Sequence, residues 1–168
     1  MKKYSYWLLP VLWMAVIFRS SATPYQEQDM KPFLSEFIDL SFLEPVLDGI
    51  SFRYHHAAVS VEALGVAGFI EFFVRKGAHV TVYLILFCLF YLACRKSAQC
   101  YVTTSLFISI LLSSVYAGLD EFHQGFTQNR TPYIGDVGLD IVGAIIGCLC
   151  VLFVRWLRKR AGRGSKLK

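Results

Sequence analysis

Asp120, Glu121, His123 and Gln124 stand together at the end of "SLFISILLSSVYAGL", a run that is otherwise apolar. Two other groups have the same character. Lys76, His79 and Tyr83 are spaced i, i+3, i+7 and share one face of a helix. Asp136 and Asp140 are spaced i, i+4 and are followed by Gly143 and Gly147. Asp120, His123 and Gln124 share a face as well, with Glu121 turned aside. The signal lies in the convergence of three helices, since each group alone is weak.

Several chemistries fit these residue types. The purely structural one is an interhelical salt-bridge cluster, with Lys76 and Arg130 neutralising Asp120, Asp136 and Asp140. Polar contacts between membrane helices contribute only about 0.6 kcal/mol each. A charge at the centre of a spanning helix costs roughly 2.5–3.5 kcal/mol. So many ionisable groups therefore favour a site, with His79 and Asp140 facing inward and paired. One such site is a divalent metal centre using His79, Asp120, His123 and Asp140, although no HExxH or paired CxxC fixes its spacing. A second is metal-free acid–base catalysis through Asp120 or His123. A third is a clamp of Arg75, Lys76 and Arg130 on an anionic or lipid-linked ligand. No serine stands in a nucleophile turn. Gly143 and Gly147 read as a close helix contact.

The elements that must position these groups follow from hydropathy. Only 17% of the 168 residues are charged, against about a quarter in soluble domains. A spanning helix needs about 20 mostly apolar residues. Four windows qualify: Tyr4–Ser21, Lys76–Cys94, Tyr101–Leu119 and Val137–Trp156. The expected fold is an all-α membrane protein, a four-transmembrane-helix bundle in a single domain over 1–168. Residues 22–75 form an outer loop, 120–136 a second one, and 157–168 a basic tail. Within the first loop, "KPFLSEFIDLSFLEPVLDGISF" mixes apolar and acidic residues, as an interfacial amphipathic helix broken near Pro45 does. Val61–Val74 reads as interfacial or re-entrant, because Glu71, Arg75 and Lys76 divide it from the span.

Charge placement sets the orientation. Lys2, Lys3, Arg95, Lys96 and "RWLRKRAGRGSKLK" hold eleven of the seventeen Lys and Arg and none of the twelve acids. The positive-inside rule makes that side cytoplasmic, with both termini in (N-in/C-in) and the polar groups outside. The basic tail then meets anionic lipid rather than nucleic acid, since nothing beside it reads bases. The N-terminus has some features of a signal peptide, but Arg19 and Pro24 stand badly for cleavage after Ala22. The five cysteines, an odd number, lie in helices or the short inner loop and do not make a disulfide framework.

"RKGAHVTVY", "YAGLDEFHQGFTQNR" and "GDVGLDIVGAIIG" resemble, in that order, the motifs of the VanZ-like family of small bacterial integral membrane proteins. "LWMAVIFRSSATP" is similar to that family's N-terminal segment. The chain departs from the pattern at Ala22-Thr23-Pro24, where Gln-Pro is usual, and at Gln128-Asn129-Arg130, where Pro-Gly-Arg is common. The stretch from Gln26 to Ser60 looks like an insertion. The resemblance implies a multi-pass protein of the bacterial cytoplasmic membrane acting at the cell envelope. Its founding member is associated with teicoplanin resistance, so a lipid-tailed or lipid-linked ligand is implied. No catalytic residues are implied. The motif positions carried over are Lys76, His79, Tyr83, Asp120, Glu121, His123, Gln124, Arg130, Asp136 and Asp140. An envelope-lipid hydrolase or transferase and a proton-coupled transporter, the latter needing a homo-oligomer, stay open as alternatives.

Overall fold

The computed structural model describes residues 3–32, 40–55, 57–127 and 132–164. Helix α1 spans Leu8–Ala22 after a 3-10 turn at Lys3–Trp7, and α2 is a single turn at Glu44–Leu47. Strands β1 (Phe52–Tyr54) and β2 (Ala57–Val59) form an antiparallel hairpin. Helices α3 (Val61–Lys96), α4 (Val102–Gln124) and α5 (Ile134–Gly164) complete the chain.

Three helices are long and apolar enough to cross a membrane: Val61–Lys96, Val102–Gln124 and Ile134–Ala161. The first expected span, Tyr4–Ser21, is divided. Its α-helical part has 15 residues, or roughly 22 Å at 1.5 Å per residue, short of the ~30 Å hydrocarbon layer. Val61–Val74, expected to be interfacial or re-entrant, is helical. These residues join the following span in one helix, interrupted only at Gly65, whose φ of 69° and ψ of 166° suit glycine. The charges that were expected to break the helix are met instead. Glu71 pairs with Arg75 one turn on at 3.7 Å, and Lys76 finds a carboxylate on α5.

The outer-loop expectation changes too. Residues 33–39, which hold much of the expected amphipathic helix, lie outside the described residues. Pro45 stands in the first turn of α2, where its missing N–H costs nothing, rather than breaking a helix. The hairpin was not expected in an all-α chain. Its pairs Phe52 with Val59 and Tyr54 with Ala57 enclose a tight turn at His55, whose φ is 46°. Val59 joins Val61 and Phe69 in a small core that fixes the hairpin against the start of α3.

The helices bury small and polar faces and expose apolar ones. Ser105, Ser109, Ser113 and Ala117 recur every four residues on the buried side of α4, while Phe107, Leu111, Val115 and Leu119 are exposed. This inverts the soluble pattern and suits a hydrocarbon solvent. The Ser109 hydroxyl donates to the Ser105 carbonyl at 2.7 Å, which lets it be buried. The main core forms where α1, α3 and α4 meet, around Ile17, Tyr83, Leu86, Phe90 and Ala117. Trp13 donates to the Val82 carbonyl at 2.9 Å, and the Tyr116 hydroxyl to that of Met14 at 2.6 Å, tying α1 to both neighbours.

Helices α3 and α5 approach most closely at the glycines, as their spacing predicts. A Cβ on Gly143 would lie 2.2 Å from the Val80 carbonyl oxygen, and one on Gly147 would lie 2.8 Å from the Phe87 ring. Backbone cannot step aside as a side chain can. Gly143→Ala is therefore expected to cost about 1–3 kcal/mol and to lower the Tm of the detergent-solubilised protein by several degrees. Gly138→Ala, whose methyl meets nothing within 4 Å, should leave Tm unchanged or slightly raised. Equal melting of both variants would refute the contact.

Candidate functional site

The i, i+3 face of α3 meets the i, i+4 face of α5 as two polar rungs. Lys76 Nζ donates to Asp136 Oδ1 at 2.6 Å, and His79 Nδ1 lies 2.9 Å from Asp140 Oδ1. A carboxylate on Nδ1 selects the tautomer with its proton there and fixes the ring plane. Asp136 also sits in the first turn of α5, where the helix dipole favours an anion. Asp140 is fully buried, and its Oδ2 has no partner.

A residue that the sequence did not single out completes the upper rung. Tyr54 on β1 donates its hydroxyl to Asp136 Oδ1, and Lys76 Nζ stands 4.5 Å from the centre of the Tyr54 ring. Burial, with the bond to Asp136 and that carboxylate's charge, raises the Tyr54 phenol well above its ordinary value. It therefore stays a donor at any physiological pH. The Tyr54 ring packs edge-on to Phe72 at 5.3 Å and Tyr133 at 4.9 Å. The only signal for this was the alternation in "SFRYHHAAV", too short to read as a hairpin.

The third group gathers on α4 against the end of α1. Asp120 Oδ2 accepts from Ser21 Oγ at 2.9 Å and from Gln124 Nε2 at 3.1 Å. Its Oδ1 is buried with no partner. Ser21 is thus a second residue of the site that spacing alone did not give. Glu121, expected to turn aside from that face, turns toward α5. It is 6% exposed and accepts the Tyr133 backbone N–H at the entry to α5. A bundle helix has neighbours on two sides, so a residue turned from α1 turns toward α5.

The two histidines part company. His123 lies against Phe18, ring centres 4.2 Å apart, while His79 faces Asp140. Among the described residues no three His, Cys, Asp or Glu side chains are arranged to hold a metal ion. Geometry thus brings Asp140 to His79, and Ser21 and Gln124 to Asp120, and does not join the four expected ligands. Arg130 lies outside the described residues.

Between α1, α3 and α4 is a cavity of about 250 Å3. It is lined by the apolar Val16, Ile17, Val74 and Val82 and by the polar Arg75, His79, Asp120 and Gln124. Tyr83 lines it as well, 1% exposed and with its hydroxyl unpartnered. The lining thus draws on α1 and on the stretches that carry the first two of the three motifs, and not on the third. A family model described as VanZ/LLP1 matches residues 6–155. The chain belongs to the VanZ/LLP1 family. No curated protein and no solved structure matches it. With three helices of spanning length, this VanZ/LLP1 member is a multi-pass membrane protein.

The rungs give a stability test. Lys76→Met leaves the Asp136 carboxylate with Tyr54 alone and is expected to cost about 2 kcal/mol, between the values for an exposed and a buried pair, since both side chains are partly exposed. Lys76→Met with Asp136→Leu should recover at least half of that loss, and Tyr54→Phe should cost only about 1 kcal/mol. Thermal unfolding of the four proteins in one detergent checks this, and additive losses in the double variant would exclude the pairing.

Proposed function

We propose that this VanZ/LLP1 protein binds a lipid or lipid-tailed ligand at the cell envelope, in the cavity between α1, α3 and α4. The observation that carries this reading is a cavity lined by both apolar and charged side chains. Val16, Ile17, Val74 and Val82 suit an acyl chain entering from the bilayer, and Arg75 and Asp120 suit a polar head. Lys76 is committed to Asp136 and Tyr54, so of the expected clamp it is Arg75, which also keeps a contact with Glu71, that lines the cavity. Basic residues at Lys2 and Lys3, at Arg95 and Lys96, and beyond Trp156 support a cytoplasmic placement of both termini. That placement makes the segment through α1 a fourth crossing, helped by its 3-10 turn, and puts the polar groups outside. Lipid-tailed glycopeptides such as teicoplanin are natural first ligands to try, given the family.

The test uses the protein in nanodiscs with a phospholipid whose acyl chain bears a photoactivatable group. Cross-links should concentrate on Val16, Val74 and Val82 above the level at Leu149, which faces outward from the bundle. Val82→Phe should reduce the cavity cross-links at least fivefold. Equal labelling of cavity and outer face, unchanged by Val82→Phe, would remove the proposal.

A second reading, a membrane hydrolase or transferase, is favoured by one feature. His79 lines the cavity while its Nδ1 is held by Asp140, as in a general base oriented by a carboxylate. Headgroup release from phospholipid by the wild type, lost in His79→Gln at equal abundance, is the outcome that reading requires. The candidate base is then His79 rather than His123.

A further inference from the structure

The cavity is electrically lopsided. On the reading that it holds a lipid, we propose that it selects a zwitterionic headgroup, with a phosphate set against Arg75 and a primary ammonium donating to Asp120. Arg75 stands between this cavity and a smaller one of about 190 Å3, which Lys31, Glu71 and Lys76 also line. Around Arg75, the cations Lys31, Arg75 and Lys76 meet the carboxylates Asp29, Glu71 and Asp136. A guanidinium that keeps its contact with Glu71 still has further N–H groups in the fork geometry that matches phosphate.

Asp120, on the same cavity, asks for a donor. Asp120 is 4% exposed, and both groups that donate to it, Ser21 and Gln124, are neutral and share one oxygen. The other oxygen has no partner, and neither does the Tyr83 hydroxyl on the same cavity wall. Buried acceptors are ordinarily satisfied, and a buried carboxylate also lacks its counter-charge. A primary ammonium supplies both needs, with three N–H donors and a positive charge. A quaternary ammonium brings the charge without donors, and a glycerol head brings donors without the charge. Arg75 and Asp120 thus ask for different halves of one headgroup.

A headgroup series tests this. Purified protein in detergent is titrated with five phospholipids of identical acyl chains. In four, the ethanolamine nitrogen carries zero, one, two or three methyl groups, and the fifth is phosphatidylglycerol. Bound lipid is counted by native mass spectrometry. Affinity should fall with each methyl, at least tenfold from first to last, with phosphatidylglycerol no better than the trimethyl lipid. Asp120→Asn should flatten the series, and Arg75→Gln should weaken all five by a similar factor of three or more. The wild-type series alone decides the matter if either variant fails to fold. Equal binding of all five overturns the headgroup inference but leaves the lipid-binding reading standing. Binding no greater than that of Val82→Phe overturns both. Equal competition by soluble phosphoethanolamine at the same concentration overturns the assignment to a lipid.

Discussion

The close approach of α3 and α5 at Gly143 is the constraint on which the polar arrangement rests. With the α5 backbone hard against the Val80 carbonyl, short aspartates one or two turns away reach the α3 face directly. Asp140 then meets His79, and Asp136 meets Lys76, without long side chains bending through the membrane. A larger residue at Gly143 would widen the gap by more than a hydrogen bond tolerates. The small residues and the charged residues are therefore parts of one device. Neither would be useful alone, because a close contact without charges binds nothing and charges without closeness stay unpaired.

Desolvation explains how the other groups are placed. An ionised side chain held away from water is retained only with partners of matching kind. Lys76 has a carboxylate, and the faces of Tyr54 and Phe72 lie near it. Glu71 has Arg75 one turn away, and Glu121 has a backbone N–H at the entry to α5. Asp120 has two neutral donors on one oxygen and none on the other, and one oxygen each of Glu121 and Asp140 is likewise buried without a partner. The polar groups thus divide into the paired Lys76–Asp136 and His79–Asp140 between α3 and α5, which hold the bundle, and Asp120 with its neutral donors toward α1, which borders the cavity.

That division marks what the sequence could and could not convey. Spacing placed Lys76, His79 and Tyr83 on one face and Asp136 and Asp140 on another, because helical periodicity is local. Gly143 and Gly147 announced the contact for the same reason. Partner choice is not local. Nothing in the spacing could say that His123 would lie on Phe18, that Glu121 would serve the next helix, or that Lys76 would be used up by Asp136. Charge also misled at Glu71 and Arg75, which look like a break in the span until their pairing across one turn is seen. Tyr54 was hidden more deeply, in a hairpin of three-residue strands held by the packing of its Val59 and Tyr54 against Val61, Phe69 and Phe72 of α3.

The hairpin explains why so short a piece of sheet belongs in a helical membrane protein. It lies against the start of α3 and hands Tyr54 to the Lys76–Asp136 pair from the side that the helices leave open. A tyrosine suits that place, since its ring faces the ammonium and its hydroxyl the carboxylate. Closing the rung there withdraws Lys76 from the cavity. Arg75, which also meets Glu71, and Asp120 are then the Arg and the Asp that line the cavity, carried by different helices. In the proposed lipid site, selectivity would rest on which charged groups tertiary contacts bring to the cavity, a choice invisible in composition.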